Sequence, residues 1–238
     1  VETFWQMLLD GVNIKTSLPS PDTFVQKFKA AKEAGDEVIC ILIASKLSGT
    51  YQGAMLAKQI VDYDGIHVID AGHAAASVAE KMLVIAACRM RDQGCTAEEI
   101  VRRLEQLRGS VRLIACLDTL EYLARGGRLP AAVASIGTKL QLKPIIVFGE
   151  NGEIQVVKKC MGSKRAMRDM TEMVTERRID PEYPVIPIFA QNDGNCQEYM
   201  AALKNAGCEG TMQAPQGIGA TIGSYIGPGG YGIVFVEK

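Results

Sequence analysis

The sequence predicts an α/β protein of two domains, the first built on a mainly parallel sheet and the second on a mixed one. Two observations carry this. Through the first half, short apolar runs alternate with helically spaced segments, as strands and helices laid down in turn require. In the second half, KPIIVFGENGEIQVV sets two β-rich runs around Glu150-Asn151-Gly152, a hairpin signal that demands antiparallel pairing. A length of 238 residues suits one large or two modest domains, each able to bury a core. The change of texture places the expected boundary between residues 1–113 and 114–238, with no Pro- or Ser-rich linker between them. Two such domains are expected to share a large interface, and clefts between domains are favoured ligand sites.

The first element with clear punctuation starts at Ser20-Pro21, an N-cap followed by proline at the first helical position, and Gly35 ends it. Phe24, Phe28 and Ala31 repeat at helical spacing inside it. EVICILIAS is an almost unbroken apolar run, expected as a strand buried on both faces. A turn over Lys46–Gly49 leads to a helix patterned by Ala54, Leu56, Ala57 and Ile60. HVIDA is a second short strand, followed by a long helix carrying Val78, Met82, Ile85 and Ala86 and closed by Gly94. Thr96 and Glu99 form a capping box for a helix with Ile100, Val101, Leu104 and Leu107 on one face. VRLIACL returns to strand. Beyond the hairpin, a helix with Met167, Met170, Met173 and Val174 is expected to run to Asp180-Pro181. The strand VIPIFA and a helix capped by Asn195, with Glu198 three residues on, come next. A short helix over Thr221–Tyr225, a Gly-Pro-Gly-Gly turn and the strand GIVFVEK end the chain.

Composition excludes several functions. Lys and Arg number 26 against 27 Asp and Glu, a net charge of −1, so no basic excess marks a nucleic-acid binder. No apolar run reaches the roughly 18–20 residues of a membrane span, and integral membrane association is not expected. VETFWQMLLD shows no basic region followed by an apolar core, so no signal peptide is expected. The seven cysteines are scattered without a CxxC, which fits reduced thiols in a cytoplasmic protein better than disulfides or a zinc site. With His67 and His73 the only histidines, His-rich metal sites and most His-based triads are hard to build.

Four segments carry candidate chemistry. In KTSLPSP, Ser20 is a cap, whereas Thr16 and Ser17 lie too far upstream to cap and in isolation are ordinary loop hydroxyls. Ser48, Gly49 and Thr50 follow the first strand, where ligands of open parallel sheets sit outside the strand ends. Their hydroxyls and unpaired N–H groups suit an anion or carboxylate, and helix capping by Ser48 or Thr50 is compatible with that. A serine at a strand–helix turn also evokes a hydrolase nucleophile, but the G-x-S-x-G pattern is incomplete around Ser48. His73 follows the second strand, and His67, at its start, is a surface histidine by default. In GIGATIGSYIGPGGYG the Gly217-Ile218-Gly219 piece is a weak dinucleotide fragment, and Ser224 and Tyr225 stand at the lip of the glycine turn. In LDTLEYLARGGRL, Asp118 or Thr119 can cap a short helix ended by Gly126-Gly127. Arg125 and Arg128 there are more ordinarily solvated charges at a helix end than anion ligands.

Taken in order, TSLPSP, SKLSGTYQGA, VID, LDTLEYLARGGRL and IGSYIGPGGYGI resemble the DegV family of bacterial fatty-acid-binding proteins over residues 16–232. The resemblance implies two α/β domains with a long-chain fatty acid buried between them. It implies a carrier with no catalysis and no cofactor, presenting its ligand to a separate fatty acid kinase subunit that makes an acyl phosphate. Carried over by position, the carboxylate contacts fall on Thr16, Ser17 and Ser48, with Gly49 and Thr50 beside it and Tyr225 at the last motif. A serine-dependent hydrolase using Ser48 and a lipid-responsive regulatory sensor are the alternative readings. Three departures stand out. Tyr225 replaces the family's histidine, and a phenol donates one hydrogen bond but carries no charge at neutral pH. The stretch after VID reads Ala71-Gly72-His73-Ala74-Ala75 where serine is usual, which puts an imidazole nearby. Finally, the family opens on a strand with an acidic, Ser/Thr-rich turn, so the first domain is expected to lack its first strand.

Overall fold

The computed structural model describes residues 2–129, 142–208 and 211–238. In chain order its elements are α1 (Glu2–Leu9), α2 (Pro21–Ala34), β1 (Val38–Leu42), α3 (Thr50–Val61), β2 (Ile66–Asp70), α4 (Val78–Asp92), α5 (Ala97–Leu107) and β3 (Val111–Cys116). They continue with α6 (Glu121–Arg125), β4 (Leu142–Phe148), β5 (Ile154–Met161), α7 (Ser163–Thr175), β6 (Ile186–Phe189), α8 (Gly194–Asn205), β7 (Gln216–Gly217), α9 (Ala220–Ile226) and β8 (Tyr231–Val236). A single 3₁₀ turn, Gly72–Ala74, follows β2.

Two compact units share these elements, one of Ser17–Ser110 with Gly149–Glu153, the other of Val1–Thr16, Val111–Phe148 and Ile154–Lys238. A division at residue 113 would cut through β3, all of which pairs within the larger sheet. Residues up to Thr16 belong with that sheet because α1 buries Trp5 and Leu8 in its unit, Trp5 lying where a Cβ on Gly223 would be 2.7 Å away. The hairpin tip belongs to the other unit: a Cβ on Gly152 would meet Ala44 Cβ at 2.3 Å and the Gly72 carbonyl oxygen at 2.7 Å.

In the unit of residues 17–110, β1 and β2 pair in parallel, Val38 opposite Ile66 through Leu42 opposite Asp70. Ser20 caps α2 by accepting from the Asp22 N–H, and Gly35 closes it in the left-handed conformation. Thr96 and Glu99 make both bonds of the capping box on α5. Phe28 from α2 and Ala54, Ala57 and Val61 from α3 form a core with Ile66. Each large side chain buried there contributes roughly 1.5–3 kcal/mol. Ala54 and Ala57 of α3 face inward as the sequence pattern requires, but Leu56 and Ile60, read as part of the same pattern, are exposed. The strand β1 also departs from expectation: all five residues are half-buried rather than buried, because among the described residues β1 pairs on the β2 side only.

Among the described residues the second unit carries a mixed sheet in the order β5-β4-β3-β8-β6-β7. Only β6 and β7 are parallel; β3, β4, β5 and β8 pair antiparallel as the hairpin demands. Its core gathers Ile114, Ile145, Met170, Tyr199, Ile233 and Phe235. Two punctuation signals act differently from their reading. The helix α7 stops at Thr175, ahead of Asp180-Pro181. Asn195 lies inside α8, whose N-cap is Asp193, and its side-chain amide donates to the Gly229 carbonyl at 3.4 Å.

Glu80, in the first turn of α4, is raised by burial to about 7. Between its unfolded value and 7 the folded state holds a proton that the unfolded state releases, so stability falls as pH rises through this window. Glu80→Gln is therefore expected to stabilise the protein at pH 8 by on the order of 2 kcal/mol and to change little at pH 4. Thermal melts at the two pH values measure the difference.

Candidate functional site

The turn after β1 is built by main-chain bonds: the Leu47 and Ser48 N–H groups donate to the Ala44 carbonyl at 2.9 and 3.2 Å. The N-cap of α3 is Gly49, with no side-chain cap bond. Ser48 instead turns its hydroxyl to Thr50, whose Oγ1 lies 2.8 Å away and whose N–H donates to Ser48 Oγ at 3.3 Å. The two hydroxyls thus meet at the start of α3, where a helix's first turn presents N–H groups. Asp70, at the end of β2, ties this turn to the next by accepting from the Ser45 N–H at 3.2 Å and the Gly72 N–H at 2.9 Å. Arg108 adds to the frame by donating to the Asp70 carbonyl at 2.7 Å.

The loop after β2 is strained. Ala75 and Ser77 take φ values of +39° and +60°, which L side chains rarely adopt. The strained loop is also tied to β1, since Ala75 accepts from the Ala44 N–H at 2.8 Å. His73 lies half-buried within this turn. His67 is not the open surface residue expected: its side chain is 24% exposed and its Nε2 stands 3.5 Å from Glu37.

In the unit of the larger sheet, Thr16 and Tyr225 are joined by a short contact between their hydroxyls, 209 residues apart in sequence. Tyr225 comes from the end of α9, and its ring fills the space left by the missing side chain of Gly126, where a Cβ would lie 2.3 Å from Tyr225 Cδ1. The Arg128 guanidinium stacks over that ring at 4.9 Å from its centroid, and its Nη1 donates to the Gly126 carbonyl at 2.7 Å. Arg125 lies 5.6 Å from the Tyr122 ring and pairs with Glu121. Thr16, Tyr122, Arg125, Arg128, Ser224 and Tyr225 line a pocket of about 260 Å³.

Thr16 and Tyr225 therefore meet within one unit, and Ser48, Gly49 and Thr50 meet within the other; Ser17 is exposed. Arg128 is the residue that sequence reading set aside. Its stacking depends on a glycine two positions earlier and a tyrosine almost a hundred residues on, a coincidence that no local pattern announces. Of the two cap candidates for α6, Thr119 bonds the helix start, its hydroxyl accepting from the Glu121 N–H at 3.1 Å with Leu120 at the N-cap position itself, whereas Asp118 pairs with Lys143 at 2.6 Å. Among the described residues no cluster of three or more His, Cys, Asp or Glu could hold a metal ion. No helix there is long and apolar enough to cross a membrane.

These features define a two-unit α/β protein with hydroxyl-bearing loops at its strand ends, and solved structures share that architecture. A DegV family protein from Thermus thermophilus, whose structure is described as showing fatty acid binding, superposes with a TM-score of 0.85 at 29% identity, over 99% of this chain and 84% of that one. In sequence, the DegV domain-containing protein TTE1491 of Caldanaerobacter subterraneus subsp. tengcongensis is 36% identical over 238 residues, all of this chain and 84% of the relative. A fatty acid-binding protein of Thermotoga maritima is 30% identical over 245 residues, covering all of this chain and 83% of the relative. The family model described as "Uncharacterised protein, DegV family" matches residues 2–238. The chain belongs to the DegV family.

Proposed function

We propose that the protein binds a long-chain fatty acid in a buried inter-domain tunnel and presents the carboxylate to a fatty acid kinase subunit, which forms the acyl phosphate. The carboxylate contacts are Thr16, Ser17, Ser48, Gly49, Thr50 and Tyr225, and the protein is a cytoplasmic carrier without catalysis of its own. The observation that carries this reading is the Thr16–Tyr225 hydroxyl pair beneath Arg128, an uncharged donor pair backed by a cation. Relatives described as fatty-acid binding supply the ligand class.

The energetics favour such a ligand. Burying an acyl chain gains about 0.8 kcal/mol per methylene, on the order of 10 kcal/mol gross for a common fatty acid. Association and ordering remove several kcal/mol, which leaves room for tight binding. The carboxylate must find hydrogen bonds or take up a proton, and hydroxyl donors serve either state. Arg128 makes the charged state cheaper, in place of the imidazole that Tyr225 lacks.

Ser48→Ala is expected to weaken binding of oleate about tenfold, the worth of one hydrogen bond to a charged group, with a melting temperature close to that of the parent. Isothermal titration with oleate and a thermal melt measure both, and an unchanged affinity would remove Ser48 from the site. Adding the oleate-loaded protein to a fatty acid kinase catalytic subunit and ATP should yield acyl phosphate. Binding without acyl phosphate would leave a sensor, and labelling of Ser48 by a fluorophosphonate would support a hydrolase.

A further inference from the structure

We infer that α1 is a strap across the head-group pocket, and that Phe4 and Trp5 are the positioning residues that fasten it to α9. The inference rests on the reading of that pocket as part of the carboxylate site. Trp5 is 4% exposed and meets Phe4 edge-on, with the ring centroids 4.8 Å apart. Both rings lie against Gly223 of α9: a Cβ there would stand 2.7 Å from Cη2 of Trp5 and 3.0 Å from Cε1 of Phe4. Tyr225 follows Gly223 on the same short helix. Leu8, one turn beyond Trp5 on the same face of α1, is buried and lines the pocket together with Tyr225.

The end of α1 carries this anchorage to Thr16. Gly11 takes a φ of +81°, its N–H donates to the Leu8 carbonyl at 3.2 Å, and the Val12 N–H donates to the Met7 carbonyl at 3.0 Å. A left-handed glycine with these two bonds fixes the direction in which the chain leaves a helix. The loop that follows is pocket wall, lined by Asn13, Ile14, Lys15 and Thr16. Thr16 then meets the hydroxyl of Tyr225. The connection is closed at both ends, from α9 through Trp5 and α1 to Thr16, and from Thr16 back to α9.

An eight-residue helix is too short to hold itself in water. Trp5 and Leu8 are its buried side chains, while Met7 and Leu9 are exposed, so docking of one face is what orders it. Loss of the seat on Gly223 therefore releases the helix as a unit, and with it the position of Thr16. Gly223 lies inside α9, where alanine is the better helix former. Gly223→Ala thus separates two effects: it favours the helix that bears Tyr225 and displaces the one that leads to Thr16.

Trp5 is the only tryptophan in the chain, so its fluorescence reports on this seat alone. In Gly223→Ala, acrylamide is expected to quench Trp5 at least about twofold more strongly and oleate affinity to fall at least about tenfold, with a melting temperature close to that of the parent. Adding Trp5→Phe removes the atom that the new methyl meets, and the double variant is expected to bind oleate within about threefold of the parent. A glycine that mattered only to the stability of α9 would give neither the quenching change nor the rescue. Should Gly223→Ala fail to fold, Phe4→Ala removes the edge-on partner of Trp5 without adding an atom, and the same direction is expected in both readouts. Unchanged oleate affinity in either folded variant, or no recovery in the double variant, would overturn the inference. Quenching is read without ligand, so a parent that binds no oleate counts against the proposed function, whereas a Trp5 no more quenchable in Gly223→Ala than in the parent overturns the strap.

Discussion

Gly126→Ala is expected to lower oleate affinity at least about tenfold while leaving the protein folded. The position has an ordinary helical backbone, φ −77°, so alanine costs nothing there conformationally. The new methyl, however, would lie 2.3 Å from Cδ1 and 2.4 Å from Cε1 of Tyr225. A half-buried tyrosine ring can swing aside more cheaply than the backbone can move. Doing so separates its hydroxyl from Thr16 and its ring from Arg128, so the damage falls on the site and not on the core. Oleate titration and a thermal melt on the same sample separate the two effects. A matched control is Tyr225→Phe, which keeps the ring and the stacking and removes only the hydroxyl. If Gly126→Ala binds oleate as the parent does, the Thr16–Tyr225–Arg128 arrangement is not the head-group site.

Gly227→Ala is expected to be the more damaging to stability. Here φ is +75° with ψ 176°, a region that essentially only glycine occupies. An added Cβ would also lie 2.2 Å from Cδ2 of Tyr122, and the two penalties combine to on the order of 3 kcal/mol. For a chain of this size that corresponds to a drop in melting temperature of roughly 5–10 °C. Pairing the substitution with Tyr122→Ala should recover the steric part and leave the conformational part, so a double-mutant cycle divides the two. Additive effects in that cycle would mean that the ring does not constrain Gly227.

Much of the fold is legible where a local signal has no competitor. Ser20-Pro21, the Thr96/Glu99 box and the Asn151-Gly152 hairpin are short-range features whose meaning does not depend on distant residues, and each acts in the structure as read. Signals that depend on tertiary context were less secure. In α3 the sequence offers both small and large apolar residues, and the close approach of its helix neighbour selects the small ones, leaving Leu56 and Ile60 outside. VICIL has the composition of a central strand, yet strand order is not written in composition, and among the described residues β1 pairs on one side only. The site divides in the same way. Ser48 and Thr50 are neighbours in sequence and were legible as a hydroxyl pair. The partnership of Thr16 with Tyr225, and the place of Arg128 above it, join segments that only the fold brings together.

The central claim is that this protein carries a fatty acid. The most direct test is to denature the purified protein, extract it with organic solvent and examine the extract by mass spectrometry. A roughly stoichiometric long-chain fatty acid, replaced by oleate when oleate is supplied in excess, is the predicted result. An empty extract from a folded protein that also takes up no added fatty acid would contradict it. Tyr225 and the alanine-rich loop after β2 would then mark a DegV fold that has left its relatives' ligand behind.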